Sequence, residues 1–407
     1  ISTRLSIFGE PFFMNIILFD DDKRVNLLPL TFTRPCAELR VGILTLAEKW
    51  AKNLTASTSY ITQDYLSEKY GIIHQDENLY INGRVLPDID LISQINLLSD
   101  NELLASEDSI IVLKTTKHLT SFEEINHYSN SITRKEISCS QLNYTYDIFS
   151  KNGEEIKSDF EILTKNRKSH QISSTNTHIG NSIFIEEGVR AEAAIFNTEN
   201  GPIYLGKNST VMEGSLIRGP FALGENATVK MGAKIYGDTT IGPQCKVGGE
   251  VSNSIFYKNS NKGHDGFIGN SVIGEWCNLG ADTNSSNLKN NYANVKLWDY
   301  SKQRFLDTGL QFCGLVMGDH SKCGINTMFN TGTVVGVSAN IFGGNFPRNF
   351  IPSFTWGGSS GFATYQTNKA FQTAKKVMER RGQELTEIEQ KILESIFENT
   401  SEYRFWE

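Results

Sequence analysis

Seven histidines are spread through 407 residues, and one of them, His264, falls in a polar loop, KNSNKGHDG, at 258–266. An imidazole titrates near neutrality, so within reach of a substrate it takes a proton from an attacking amine or hydroxyl; in open solvent it is only hydrated. Both readings are open on the residue alone. A zinc hydrolyase would need three histidines from neighbouring turns, and His178, His264 and His320 are too few and too scattered for that. Cys36, Cys139, Cys245, Cys277, Cys313 and Cys323 show no CxxC and no close histidine, which suits reduced core thiols and a cytoplasmic location.

Composition narrows the classes further. The chain is 39% hydrophobic and 21% charged, so a disordered or collagen-like chain is excluded. A formal net charge of −7, with no Lys/Arg block longer than three residues, gives no electrostatic basis for a general nucleic-acid or anionic-membrane surface. A local anion pocket is still allowed. No apolar run approaches the roughly 20 residues that span a bilayer. Residues 1–13 are too interrupted for a secretory segment and read as an extension ahead of Met14.

The loop around His264 interrupts a strong repeat. Leu205, Val211, Ile217, Leu223, Val229, Ile235, Ile241 and Val247 are aliphatic at a spacing of six. With roughly a fifth of residues aliphatic, chance gives such a run about three times in a million starts. Gly188, Gly206, Gly224 and Gly242 add a period of eighteen, three times six. The physical solution is a coil with three short flat faces per turn, one aliphatic residue per face pointing inward, and small residues at the corners. The pattern extends from about 175 to about 350, with interruptions at 252–267 and 283–311 that are expected to project as loops.

Two other regions flank the coil. Before it, strands are expected at 15–19, 59–62, 78–82 and 109–114, alternating with helical spacing at Leu39, Ile43, Leu46, Ala47 and Trp50 and at 64–70, which implies α/β and a parallel sheet. After it, 362–397 carries two helical stripes, with Thr386 and Glu389 as a capping box for the second. The expected domains are 14–165, 175–357 and 361–400.

The six-residue period resembles the hexapeptide-repeat family, which implies a left-handed parallel β-helix. The stretch KGHDGFIGNSVIGEWCNLGADTNSSN goes further. It resembles the acetyltransferase half of the bifunctional N-acetylglucosamine-1-phosphate uridylyltransferase/glucosamine-1-phosphate acetyltransferase family, through Gly263-His264, Ile268-Gly269, the run Asn278 to Thr283, and Asn287, with Glu250 at the family spacing. The resemblance implies that His264 is the general base toward acetyl-CoA and that Glu250 supports it. It implies that Asn278 and Asn287 hold the sugar and its amine, and that Lys296 stands near the substrate phosphate. Gly324, Ile325, Asn326 and Thr327, with Phe342, Gly343 and Gly344, match the acyl-donor channel, and a homotrimer is implied. The sequence departs from the family at Phe267, Leu288, Ser252 and Asn253, and in an insertion at 295–313, so the acceptor pocket matches less well than the donor side.

The N-terminal part has three carboxylates, Asp20 to Asp22, where sugar nucleotidyltransferases place a glycine-rich phosphate loop. Carboxylates repel phosphate. Even so, 28–35 and the INGRVLP run at 81–87 resemble a divergent sugar nucleotidyltransferase family joined to hexapeptide-repeat domains. That implies phosphate-facing Arg24, Arg34 and Arg84, and Asp88 or Asp90 as a ligand for Mg2+. These arginines can equally pair with the local acids. The expected function is a transferase that moves acetyl from acetyl-CoA to an amino sugar phosphate, fused to a sugar-1-phosphate nucleotidyltransferase domain, with sugar phosphate and nucleotide as partners and no nucleic acid or membrane. The alternatives are a nucleotidyltransferase whose β-helix is only structural or regulatory, and a pure binding scaffold.

Overall fold

A computed structural model describes residues 14–406. Residues 1–13, read above as an upstream extension, lie outside the described residues. The described chain forms two compact units. One contains the stretch through Arg24, Arg34–Leu39 and Leu44–Asn143; the other contains Val25–Thr33, Arg40–Ile43 and everything from Tyr144 onward.

The first unit is built on six strands: β1 (Asn15–Phe19), β2 (Ser57–Ile61), β3 (Asn78–Asn82), β4 (Glu102–Ser106), β5 (Ser109–Thr115) and β6 (Thr133–Glu136), in the order β2-β1-β3-β5-β4-β6. β1 and β3 are buried along their whole length, as central strands covered on both faces must be. The sheet is mixed rather than wholly parallel. β1 pairs β2 and β3 in parallel, whereas β5 is antiparallel to both β3 and β4. Only Glu107 and Asp108 separate β4 from β5, which is a hairpin and too short for a parallel crossover. Helix α1 (Leu46–Leu54) begins later than the stripe from Leu39 suggests, because Thr45 and Glu48 form a capping box that fixes its first turn. The remaining helices here are α2 (Asp64–Ser67), α3 (Ile89–Asn96) and α4 (Phe122–Ser129).

The second unit is a parallel β-helix with three flat faces, followed by α6 (Thr367–Glu379) and α7 (Glu387–Asn399). The hexads resolve into three inward ladders. Phe196, Ile217, Ile235, Val251 and Ile268 stack on one face. Leu205, Leu223, Ile241, Phe256, Ile273, Met317, Val335 and Ile351 stack on the next. Val211, Val229 and Val247 lie in the first part of the third, and Leu279, Cys323 and Ile341 in its later part. These side chains form one continuous core.

One row of corners is left-handed mostly without glycine: Asn208, Asn226, Gln244, Asn259, Trp276, His320 and Ser338 all have positive φ. Gly188 belongs to this row, with φ +75°, whereas Gly206, Gly224 and Gly242 have a different task. A Cβ on Gly224 would lie 2.5 Å from the Pro243 nitrogen, so glycine there lets successive coils close to hydrogen-bonding distance.

The two interruptions differ in kind. The first is mostly strand, Glu250–Phe256 and Asn261–Lys262, within ladders whose coil is short: Phe256 pairs with Ile241 fifteen residues earlier rather than eighteen. Only the turn at 263–266 stands out. The second is a true insertion, and its Lys296–Asp299 and Arg304–Asp307 strands form an antiparallel hairpin. Helix α5 (Thr145–Thr164) packs within the second unit. Its Ile148, Phe149 and Ile156 are buried, and Asn152 donates to the Asp238 carbonyl (2.8 Å) and accepts from the Gly42 amide (2.7 Å). The Thr386–Glu389 capping box opens α7 as the sequence indicated.

Candidate active site

Each strand of the third face has two positions. The second points inward; the first, at Lys246, Asn261, Asn278 and Lys322, points outward and makes the floor of a groove. Helix α6 forms one wall through Thr373 and Val377, with Arg380 just past its end, and the turn carrying Ile325 forms the other end. The cavity is about 740 Å³. Lys230, Lys246, Lys322, Arg380 and Arg381 line it, and no carboxylate does among the described residues. In a chain of net charge −7 this is a concentrated positive site for a polyanion. Trp276, Leu279, Ile325 and Val377 give it an apolar side as well.

The groove is held open by its own cations. Arg381 donates to the Gln244 carbonyl and to Asn261 Oδ1 (2.9 Å), fastening the end of α6 to the floor. Lys322 donates to the His320 carbonyl (2.8 Å), and burial pushes its ammonium down to about 8.

His264 lies at the rim. It also lines a second cavity, of about 360 Å³, whose exposed carboxylates are Asp265 and Asp282. The imidazole therefore borders both a cationic groove and a smaller pocket that carries two carboxylates, with Lys230, Gly263 and Ala281 also common to both. The ring makes no hydrogen bond to another described residue and is exposed, so it is available to a substrate. Asp265 and Asp282 were not singled out in the sequence. The available signal was their position, one directly after the histidine and the other inside the Asn278-to-Thr283 run.

The other expected residues divide between this site and elsewhere. Asn278, Gly280 and Ile325 join His264 in the groove. Asn326 holds the end of the Ile325 turn through its amide, which donates to the Ala281 carbonyl (2.8 Å), and Thr327 donates to the Gly324 carbonyl (2.9 Å). Phe342 packs edge-on to Trp356 at 5.2 Å, and Gly343 and Gly344 face open space. Glu250, Asn287 and Lys296 do not line the groove. Glu250 points from a different face and pairs with Lys234 (3.4 Å), because its strand is in the other sheet. Asn287 donates to Asn270 (2.8 Å), and Lys296 stands exposed on the inserted hairpin.

In the first unit the arginines meet carboxylates. Arg84, fully buried, donates to both oxygens of Asp21 (2.8 and 2.6 Å), to the Leu142 carbonyl and to Asn143. Arg24 lies 3.2 Å from Asp20, whose other contacts are the Cys36 amide and Thr62. Arg34 is buried too. A phosphate would have to displace Asp20 or Asp21 from Arg24 or Arg84, so the local acid pairing foreseen as the other reading is what forms. Asp88 caps α3 by accepting from the Leu91 amide (2.8 Å), and Asp90 is exposed in that helix's first turn. Among the described residues no group of three His, Cys, Asp or Glu converges as metal ligands.

Burial works against ionising Asp21, but the Arg84 hydrogen bonds and charge outweigh it and hold its carboxyl below the usual range. A carboxyl with a depressed folded pKa contributes stability above its unfolded value near 3.8, lost as pH falls through the folded value. Arg84→Leu is expected to destabilise the first unit by about 3–5 kcal/mol in urea titration at neutral pH, by leaving Asp21 buried without its partner. The gap between wild type and variant should narrow as the medium is acidified below pH 3.8.

Residues 16–168 match the sugar nucleotidyl transferase family model. The chain is 38% identical over 87 residues to the bifunctional protein GlmU of Methanocaldococcus jannaschii, covering 21% of each. It is 33% identical over 95 residues to the bifunctional sugar-1-phosphate nucleotidylyltransferase/acetyltransferase of Sulfurisphaera tokodaii, covering 23% of each. The alignments thus span about a fifth of the length of these relatives. Among solved structures, the Arabidopsis UDP-N-acetylglucosamine acyltransferase aligns with 52% of this chain and 80% of its own, at 16% identity and TM-score 0.25. The polySia-specific acetyltransferase NeuO aligns with 53% of this chain and 96% of its own, at 14% identity and TM-score 0.28. No helix among the described residues is long and apolar enough to cross a membrane, and all six cysteines are free thiols.

Proposed function

We propose that the β-helix transfers an acetyl group from acetyl-CoA to the amine of a hexosamine phosphate, with His264 as general base. The observation that carries this reading is the imidazole between two cavities of opposite charge. The donor's phosphates go to Lys230, Lys246, Lys322 and Arg380, and its uncharged arm lies along Ile325 and Val377. The acceptor's ammonium is drawn to Asp265 and Asp282. His264 removes one proton from it; the freed amine attacks the thioester carbonyl and the C–N bond forms, and as the C–S bond breaks the nitrogen gives up a second proton and the leaving thiolate takes one up, so that amide, thiol and one released proton result. Exposed apolar residues on the coil, Leu216, Met231 and Tyr236 among them, support assembly as a homotrimer, for which light scattering should give three times the chain mass. We place the protein in the cytoplasm, where its free thiols persist.

For the first unit the family match supports nucleotidyl transfer to a sugar 1-phosphate. A single assay separates the readings: hexosamine 1-phosphates with acetyl-CoA, followed by thiol release, then repeated with UTP and Mg2+ to detect pyrophosphate. Thiol release alone makes the first unit a non-catalytic module; pyrophosphate alone makes the β-helix structural or regulatory. Lys246→Glu reverses a charge on the groove floor. It should raise KM for acetyl-CoA about tenfold, with kcat changed less than about twofold, and the difference should shrink in high salt. An unchanged KM would remove the groove as the donor site.

A further inference from the structure

The third inward ladder contains one residue of the wrong kind. Val211, Val229 and Val247 precede it and Leu279, Cys323 and Ile341 follow, yet the position paired with Val247 is Lys262. Its side chain is fully buried inside the coil. The valine rungs before it and the Leu279, Cys323 and Ile341 rungs after it show that the coil closes with an apolar side chain there, so the fold itself does not call for an ammonium. Burying one carries a desolvation cost, which must be offset by something specific. Burial pushes the Lys262 ammonium down to about 8, while the carboxylates of Asp265 and Asp282 act in the opposite direction.

The Nζ contacts show what is specific. Lys262 donates to the main-chain carbonyls of His264 and Asp265, the latter at 2.8 Å, and to no other group among the described residues. Two successive carbonyls of the protruding turn are thereby drawn inward, toward the axis of the coil. The side chains of His264 and Asp265 are exposed, one at the rim of both cavities and the other in the acidic pocket. The glycines on either side give the turn no side-chain anchor: a Cβ on Gly263 would meet nothing within 4 Å, and Gly266 has φ +108°.

We propose that Lys262 is the positioning residue of the site, an internal cation that grips the turn from beneath and fixes the direction in which His264 and Asp265 project. It acts through the backbone and touches no substrate. The proposal rests on the acyl-transfer reading for its kinetic consequence, but its structural consequence stands apart from that reading.

The test is Lys262→Met in the full chain, which restores the apolar ladder. The unfolding midpoint should stay level or rise. Amide exchange at 263–266 should accelerate, and kcat for acetyl transfer should fall by about tenfold or more, with KM for acetyl-CoA within about twofold, because the donor groove is untouched. Lys262→Gln keeps a donor on a shorter arm and should fall between Met and wild type in both exchange and kcat. Unchanged exchange in the Met variant would overturn the proposal. So would a Met variant that fails to fold, because the ammonium would then be a need of the coil rather than of the turn. If the wild type shows no acetyl transfer, or if His264→Ala leaves it intact, the proposed activity or the base role of His264 falls, and the exchange data still decide the role of Lys262.

Discussion

His264→Ala should lower kcat for acetyl transfer by about a thousandfold, within the range general base catalysis contributes, and leave the unfolding midpoint unchanged. The second half follows from the ring's surroundings. It is exposed and hydrogen-bonded to no other described residue, so its removal opens no void and orphans no partner. The first half follows from its place between the cationic groove and the carboxylates of Asp265 and Asp282, where the imidazole is within reach of both the acyl donor and an amine drawn to the carboxylates. Steady-state thiol release measures it. A loss smaller than about threefold would make the histidine a bystander. Asp282→Asn should act differently, raising KM for the amino sugar while sparing KM for acetyl-CoA, because only the acidic pocket changes.

Gly280→Val is expected to cost about 3 kcal/mol or more, among the largest penalties available to a single substitution in the coil. A Cβ at Gly280 would come within 2.5 Å of the Gly324 carbonyl group and the Ile325 nitrogen. Those atoms cannot give way locally. Gly280 donates to the Cys323 carbonyl (3.1 Å) and Gly324 donates to that of Ile341 (2.8 Å), so relief means prising successive coils apart. Because a coil is supported only by its neighbours, the damage should localise to this level of the stack. The same displacement moves the Ile325 turn at the end of the groove, so KM for acetyl-CoA should rise in whatever fraction still folds. Chemical denaturation gives the first quantity. A loss under about 1 kcal/mol would mean that the coils are less tightly spaced here than the geometry requires.

The coil was legible because its constraint is local and repeated. Each inward position must be apolar and each lies six residues from the next, so Leu205 to Val247 declare three ladders without any long-range information. The place where the rhythm fails was legible too, but its nature was not. A coil shortened to fifteen residues and a projecting loop both break a period of six, and only pairing such as Ile241 with Phe256 distinguishes them. The same ambiguity hid Lys262, which reads as one more polar loop residue until its pairing with Val247 places it in the core.

Elsewhere the missing information was spatial. A parallel sheet was inferred from alternating elements, but the two-residue turn between β4 and β5 reverses the chain. Arg24 and Arg84 were as compatible with phosphate as with Asp20 and Asp21, and spacing along the chain does not rank the two; burial beside those carboxylates does. The cations of the groove come from segments as distant as Lys230 and Arg381, so no window of sequence holds the site. His264, Asn278 and Ile325 were found through the family-like run and do share that groove, whereas Glu250 and Lys296 project elsewhere in the chain described here.

The central claim is that the groove between α6 and the third face delivers an acyl carrier to His264. The structure of the full chain determined with bound coenzyme A tests it most directly. The account predicts phosphates against Lys246, Lys322 and Arg380 and the thiol sulfur within about 4 Å of the imidazole. Coenzyme A bound on another face, or bound in the groove with its thiol directed away from His264, would contradict it.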